Sequence, residues 1–194
     1  LLSLLWKGPV KRYRKLGLER RLFLRSKGRL FRDKLRLWNV PQRYALAVEA
    51  TPPPRAALLP HIWLSDEEIR QGQRLLEQLP DKAGTPPIAL HPYATHPDKA
   101  WKEAYWRQLM QLFESRGIPW IVIGRGSGME GLPAFRDFTN RTSLRETCAL
   151  LKASSLLITG DSGPMHLAGA VGTPVLALFG PTTEEWGFFP AGPK

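Results

Sequence analysis

Four short apolar runs, separated by segments with helical periodicity, constrain the fold of this 194-residue chain more than any other feature. The runs occupy residues 88–91, 120–124, 156–159 and 175–179. Apolar runs of this length that alternate with amphipathic helices are typical of buried parallel strands joined by crossover helices. The pattern therefore predicts an α/β fold, a Rossmann-like parallel sheet with helices on both faces.

Two S-x-x-E patterns mark helix starts in this series, at 65–68 and at 143–146. In such a capping box, the serine and the glutamate side chains each bond the other residue's backbone N–H group. The second predicted helix places Leu144, Cys148 and Leu151 on one apolar face, so we expect the cysteine to pack in the core. Because Cys148 is the single cysteine, the chain has no internal disulfide and no cysteine-based zinc site.

The amino-terminal part of the chain differs in composition from the rest. Residues 1–43 carry a net charge of +12, whereas the remaining residues carry a net charge of −1. Clustered cations attract polyanions, so this segment is either a solvated face or a surface for nucleic acid, anionic lipid or a phosphorylated acceptor. The proline-rich stretch 51–60 interrupts helices and strands, and we assign a linker to residues 51–64.

Several features predict a cytoplasmic fragment of a longer protein. The sequence lacks an initiator methionine and ends at AGPK, just past an apolar run. It has no uninterrupted apolar run of about 18 residues, which a membrane-spanning helix needs. Its apolar opening precedes the first basic residues, the reverse of a signal peptide, and its low cysteine content fits a reducing compartment.

In open parallel sheets, ligands bind beyond the carboxyl ends of the strands. This rule selects four segments as the candidate site: 91–102, 124–131, 160–166 and 180–183. The second contains G-x-G-x-x-G at 126–131, but Leu132 and Pro133 follow where the dinucleotide fingerprint needs a helix. Glu146, at the offset of a ribose-binding acid, already belongs to a capping box. We therefore predict a loop at 126–131, not a dinucleotide site.

The turn Asp161-Ser162-Gly163 joins a predicted strand to a helix that has Pro164 in its first turn. The unbonded N–H groups and the positive end of such a helix form an anion site, to which His166 can add a donor. A carboxylate would repel the same anion, so Asp161 is expected to accept hydrogen bonds from the turn, from His166 or from a hydroxyl. The alternative is structural: Asp161 caps the helix and His166 packs as a polar residue.

A cation and further donors converge on the same edge. Lys99 follows the first strand, and the segment 180–183 follows the last. A lysine combined with backbone N–H groups and hydroxyls suits a diphosphate. No cluster of carboxylates or histidines has metal-ligand spacing, so we expect neither a divalent ion nor another cofactor.

Three stretches of the sequence resemble glycosyltransferase family 9, the lipopolysaccharide heptosyltransferases: DSGPMHLAGAVGTPVLALFGPT, KAW after the first strand, and NRTSLRETCALLKASSLLI. The resemblance covers roughly residues 43–187. It implies the GT-B architecture of two Rossmann-like domains, in which the second holds the nucleotide-sugar donor, typically ADP-heptose, and the first holds the acceptor sugar. Residues 1–50 are then expected to be the tail of the acceptor domain and 65–194 the donor domain, truncated at both ends.

The resemblance also implies which residues bind the donor. The matching positions are Lys99, Asp161, Ser162, Gly163 and His166, together with Thr95, Glu130 and Thr142 in loops of different length. Within this set, the DSGPMH residues are implied to bind the donor's sugar and diphosphate, and Lys99 to contact the diphosphate. No catalytic residue is expected in this chain, because the general base belongs to the missing amino-terminal domain, and the chain alone is expected to be inactive.

The resemblance, taken with the predicted anion site, implies an inverting, metal-independent transfer of a heptose or related sugar from an ADP-sugar to the lipopolysaccharide inner core. The expected partners are the nucleotide-diphosphate sugar and the lipopolysaccharide acceptor, with no nucleic acid. The protein is expected to be a monomer, peripheral to the cytoplasmic side of the inner membrane of a Gram-negative bacterium. Two alternatives stay open: a non-catalytic α/β module whose basic arm binds nucleic acid, and a nucleotide-sugar epimerase of similar architecture.

Overall fold

The computed structural model describes residues 8–80, 84–180 and 183–191. The chain forms two compact units, one within residues 1–58 and 183–189 and the other within 59–182 and 190–194. The boundary after residue 58 falls inside the segment 51–64 that we assign to a linker. Residues 183–189, predicted as part of the second domain, cluster with the first unit.

The first unit consists of short helices. They are α1 (Gly17–Arg25), α2 (Arg32–Arg36) and α3 (Val40–Ala45), with 3-10 turns at Arg55–Leu58 and Glu184–Trp186. The start of α3 is a capping box, in which Asn39 accepts from the backbone N–H of Gln42 at 3.0 Å. None of the helices in the described ranges is long and apolar enough to cross a membrane.

Part of the positive charge of residues 1–43 is neutralised inside this unit. The buried Arg43 guanidinium donates to the backbone carbonyls of Trp186 and Glu185, both at 3.3 Å. The buried Glu185 carboxylate pairs with Arg36 at 3.2 Å and with Arg32 at 3.6 Å. These contacts therefore stabilise the fold of the unit, while the Arg32 and Arg36 side chains stay about half exposed.

The second unit is built on a parallel sheet. Its strands are β1 (Ile88–His91), β2 (Trp120–Val122), β3 (Leu156–Gly160) and β4 (Val175–Leu178), in the order β2-β1-β3-β4. All three strand pairs are parallel, which confirms the predicted α/β class. The predicted strand 120–124 ends at Val122, and Gly124 then turns the chain away with a φ of 121°, a conformation that favours glycine.

Four helices cover this sheet: α4 (Asp66–Leu76), α5 (Glu103–Ser115), α6 (Leu144–Lys152) and α7 (Gly163–Val171). Both predicted capping boxes are confirmed. Ser65 accepts from the N–H of Glu68 at 3.2 Å, and the glutamate accepts from the serine N–H at 2.8 Å. Ser143 and Glu146 make the same pair of bonds at the start of α6.

Successive residues of each strand point to opposite faces of the sheet and contribute to two hydrophobic cores, one on each face. The core on the first face combines strand residues with residues of α6 and α7: Ala89, Ile121 and Leu157 from the strands, Cys148 and Leu151 from α6, and Ala168 and Val171 from α7. The core on the other face combines strand residues with residues of α5: Leu90, Val122 and Ile158 from the strands, and Trp106, Met110 and Phe113 from α5. Burial of Cys148 confirms its expected place in the core, whereas the same expectation for Leu144 is wrong. Leu144 is 65% exposed, because the buried face of α6 begins only at Thr147.

Replacing Gly72 with valine is expected to lower the free energy of unfolding by about 3 kcal/mol, the upper range for overpacked cores. A Cβ at residue 72 would lie 2.8 Å from the backbone carbonyl of Ala149, so α4 and α6 would have to separate. Urea denaturation measures the change. Gly17→Val is the control, because a Cβ there would meet no atom within 4 Å. Equal losses in the two variants would contradict this account of the helix contact.

Candidate functional site

A cavity of about 1050 Å³ opens at the carboxyl edge of the sheet. Its wall comes from the loops that follow β1, β2 and β3 and from the first turns of α5, α6 and α7. The volume is at the upper end of the range for small-molecule sites, about 300 to 1000 Å³. The cavity therefore lies where ligands bind in open parallel sheets.

Aromatic rings and cations share the wall of the cavity. Tyr93, Trp101 and Trp106 line it, as do Lys102 and Arg125. Trp101 stands edge to face against Trp106, with the ring centroids 5.0 Å apart. Burial raises the pKa of the Tyr93 hydroxyl, which therefore stays protonated. A wall of this composition suits a ligand that carries both a ring and negative charge.

The eight residues predicted to bind a donor lie at this edge of the sheet in two groups. Four of them line the cavity: Thr95, Thr142, Ser162 and Gly163. The other four lie outside its wall: Lys99, Glu130, Asp161 and His166. Of the predicted segment 180–183, Pro181 and Thr182 lie outside the described residues.

Lys99 and Asp161 form an ion pair, with Nζ 2.6 Å from Oδ2. Their side chains are 29% and 11% exposed, so both charges are partly shielded from water. We predicted a lysine available to a phosphate and an aspartate that accepts from the turn, from His166 or from a hydroxyl. The structure adds an ion pair between the two side chains, which lie 62 residues apart in the sequence. An incoming anion would therefore meet an ammonium group whose position an aspartate already holds.

Two glycines allow the loops of this edge to approach each other. A Cβ at Gly180 would lie 2.8 Å from the carbonyl oxygen of Asp98, and one at Gly160 would lie 3.3 Å from that of Lys99. The ends of β3 and β4 thus contact the backbone that carries Lys99. The convergence predicted for these segments is confirmed for the residues that the structure describes.

The start of α7 is a helix end without a side-chain cap. Ser162 is the N-cap residue, yet its hydroxyl bonds no backbone N–H of the helix, and Pro164 occupies the first turn as predicted. The N-cap position therefore belongs to Ser162 and not to Asp161, and His166 is exposed and not packed. Gly163 is exposed in the cavity wall, where a Cβ would meet no atom within 4 Å. These features leave room for an anion beside the positive end of the helix.

His91, which ends β1, lines the cavity; sequence reasoning placed it in the candidate segment 91–102 but gave it no role. His91 is 6% exposed, and its Nδ1 lies 3.1 Å from Thr159 Oγ1 and 3.3 Å from Ser162 Oγ. Burial lowers the pKa of His91 to about 4, so the imidazole is neutral at physiological pH. The signal in the sequence was its place at the carboxyl end of a predicted strand.

The depressed pKa of His91 predicts a pH dependence of stability. Above its ordinary pKa of 6.5 the imidazole is neutral in both states; between pH 6.5 and about 4 only the unfolded chain binds the proton. Stability is therefore fully present above pH 6.5 and is lost as the pH falls toward 4, by about 3 kcal/mol from this residue. Urea denaturation of wild type and His91→Asn across this range measures the difference. Parallel curves for the two proteins would contradict the burial argument.

The G-x-G-x-x-G segment is a loop, as predicted, and not the start of a helix. Asn140 holds it, accepting from the N–H of Gly126 at 3.2 Å and donating to its carbonyl at 2.8 Å. The next helix, α6, begins only at Leu144. Met129 is buried in the core under the loop, and Glu130 is exposed.

Within the described part of the chain, no three His, Cys, Asp or Glu side chains lie close enough together to hold a metal ion. The absence of a metal from the reaction stays a prediction.

A sequence profile of glycosyltransferase family 9 (heptosyltransferase) matches residues 19–191. The chain belongs to glycosyltransferase family 9. The resemblance carried by the DSGPMH and KAW segments is thereby confirmed. Family 9 enzymes are glycosyltransferases, so the predicted enzyme class is confirmed at the level of the family.

Curated relatives of this family 9 chain carry related names. Lipooligosaccharide heptosyltransferase 2 of Haemophilus influenzae is 30% identical over 164 residues, which are 75% of this chain and 47% of that protein. Lipopolysaccharide heptosyltransferase 1 of Escherichia coli (strain K12) is 30% identical over 117 residues, 57% of this chain and 36% of that protein. The family 9 chain thus spans about half or less of the length of these relatives.

Solved structures of family 9 members share the fold. The ADP-heptose lps heptosyltransferase II of E. coli matches with a TM-score of 0.60 and 25% identity, over 76% of this chain and 50% of that chain. A family 9 glycosyltransferase of Veillonella parvula matches with a TM-score of 0.59 and 25% identity, over 68% of this chain and 40% of that chain.

Proposed function

We propose that this chain contributes the donor side of an inverting glycosyltransferase. The enzyme moves a heptose, or a related sugar, from an ADP-sugar to the lipopolysaccharide inner core. The observation that carries the proposal is the uncapped start of α7 at a cavity on the carboxyl edge of the sheet, with Lys99 and Asp161 on the same edge. The relatives named as lipopolysaccharide and ADP-heptose heptosyltransferases support this choice of donor and acceptor.

In this proposal the diphosphate of the donor lies at the start of α7. The N–H groups and the positive helix end bind its oxygens, and the Lys99 ammonium supplies a full positive charge. The adenine ring lies in the aromatic wall beside Tyr93 and Trp101, and Asp161 accepts from a hydroxyl of the sugar. His166 is exposed in the first turn of α7 and reaches the donor from outside the cavity wall.

The reaction is a single displacement at the anomeric carbon. The acceptor hydroxyl forms the new glycosidic bond while the bond to the diphosphate breaks, so the configuration inverts. The hydroxyl proton passes to a general base in another part of the protein, and the negative charge develops on the departing diphosphate. Donors preorganised around such a charge stabilise the transition state, each typically worth about 3 kcal/mol.

The same proposal covers the setting of the reaction. Protein cations and N–H groups neutralise the diphosphate, so the transfer needs no metal ion. The acceptor lies in a membrane, so the protein acts at the cytoplasmic side of the inner membrane. We propose separately that it acts there as a monomer. The cations of residues 1–43 that are not paired within the first unit then face this anionic surface.

Titration calorimetry with ADP and with ADP-heptose, in the presence of EDTA, tests donor binding without metal. We expect binding of both ligands, followed by transfer of heptose to a lipopolysaccharide core acceptor by the whole protein. Three outcomes would contradict the proposal: no affinity for either ligand, an altered sugar released without acceptor, as an epimerase gives, or binding only to nucleic acid with a steep salt dependence.

A further inference from the structure

Ser162 differs from the other serine and asparagine residues that occupy the N-cap of an α-helix in the described ranges. Asn39, Ser65 and Ser143 each cap their own helix, accepting from the N–H three residues later. The Ser162 hydroxyl has the same opportunity at Met165, because Pro164 has no N–H to offer. It makes no such bond, and Ser162 lines the cavity.

A buried network accounts for the position of this hydroxyl. Ser162 Oγ lies 2.9 Å from Thr159 Oγ1 and 3.3 Å from His91 Nδ1. Thr159 and His91 are register partners on neighbouring strands, and their side chains are 3.1 Å apart. Thr159 is fully buried and also donates to the carbonyl of Gly160 at 3.1 Å. The network therefore connects strands β1 and β3 of the sheet to Ser162, the N-cap residue of α7.

The backbone of Gly124, which follows β2, packs against the imidazole of this network. A Cβ at Gly124 would lie 2.5 Å from Cδ2 and 2.8 Å from Nε2 of His91, so the glycine backbone closes directly on the ring. The Tyr93 ring also stands edge to face against the imidazole, with the centroids 5.8 Å apart. A buried, neutral ring held in this way keeps its Nδ1 directed at the two hydroxyls.

We propose that His91 and Thr159 are positioning residues for nucleotide binding. They hold the Ser162 hydroxyl at the cavity wall and away from the capping position, so that the start of α7 stays open to the donor diphosphate. This inference rests on the proposed function, because it takes the diphosphate to lie at that helix end. Neither His91 nor Thr159 needs to touch the donor, since both act through Ser162.

A double-mutant cycle on ADP affinity tests this coupling. In the protein with Ser162, His91→Leu is expected to weaken ADP binding about fivefold to tenfold, the change expected for one hydrogen bond. In the Ser162→Gly background, which has no hydroxyl to hold, the same substitution is expected to change the affinity less than about twofold. Equal losses in both backgrounds, or no loss in either, would overturn the proposal.

Two further variants separate positioning from general damage to the fold. Thr159→Val removes one hydroxyl of the network while His91 stays in place, and it is expected to show the same dependence on Ser162. His91→Asn places a polar atom near the position of Nδ1 and is expected to restore most of the affinity. A loss in His91→Asn as large as in His91→Leu would contradict a role through hydrogen bonding.

A crystal structure of His91→Leu without nucleotide tests the inference independently of ADP. The expected result is Ser162 Oγ within hydrogen-bond distance of the Met165 N–H, in the position that Ser65 and Ser143 adopt at their helices. An unchanged hydroxyl would overturn the inference even if the wild-type protein binds ADP. Failure of the wild-type protein to bind ADP would instead contradict the proposed function and leave this structural test decisive.

Discussion

Replacing Gly163 with aspartate is expected to weaken ADP binding at least about 100-fold without destabilising the protein. Gly163 is the first residue of α7 and lines the cavity, and a Cβ there meets no atom within 4 Å. The new carboxylate would lie where we place the diphosphate. Two unit charges about 5 Å apart repel by about 3 kcal/mol at an effective dielectric constant of about 20, which weakens binding by at least about 100-fold.

Stability is expected to change in the opposite direction for this variant. An aspartate in the first turn interacts favourably with the positive end of a helix, so the melting temperature of Gly163→Asp should not fall. Gly163→Asn has the same shape without the charge and is the matched control, expected to lose only a few-fold in affinity. Calorimetry with ADP and thermal melting of both variants measure the two effects. Equal ADP affinity of the two variants would contradict a diphosphate at this helix end.

Replacing Lys99 with methionine is expected to weaken ADP binding on the order of 100-fold. The substitution removes the ammonium group that we assign to the diphosphate, a loss of about 2.7 kcal/mol. It also removes a cation 2.6 Å from the Asp161 carboxylate, which then adds its repulsion to the same anion. The side chain is partly exposed, so methionine can replace the lysine stem without a buried cavity.

Two control variants test whether the loss in Lys99→Met is specific to the position of this lysine and to its ion pair with Asp161. Lys102→Met removes a lysine of the cavity wall that belongs to no ion pair among the described residues, and it is expected to cost only a few-fold in affinity. The double variant Lys99→Met with Asp161→Asn is expected to recover part of the lost affinity, because the repulsion disappears. Calorimetry with ADP measures all three. If Lys99→Met bound ADP as well as Lys102→Met does, the assigned role of Lys99 would be wrong.

Local patterns in the sequence predicted most of the second unit. The period of the apolar residues indicates strands and helices, and the two capping boxes mark helix starts, because both signals depend on neighbours within one turn. Leu144 is the exception on α6. Helical spacing places it on the apolar face, but spacing does not say at which residue the helix first meets the sheet.

Contacts between segments that lie far apart in the sequence could not be predicted from these local patterns. The partnership of His91 with Thr159 depends on the register of β1 against β3, which no local pattern encodes. Lys99 and Asp161 were both predicted at the site, but their ion pair was not, because no local pattern indicates a contact between residues that lie 62 positions apart. The grouping of 183–189 with the first unit likewise depends on long-range contacts such as that of Glu185 with Arg36.

A crystal structure of the protein with ADP tests the central claim most directly. The account predicts diphosphate oxygens within hydrogen-bond distance of the Gly163 N–H and of Lys99 Nζ, with the adenine ring against the aromatic wall of the cavity. ADP bound at any other surface, or no bound ADP at millimolar concentration, would contradict it.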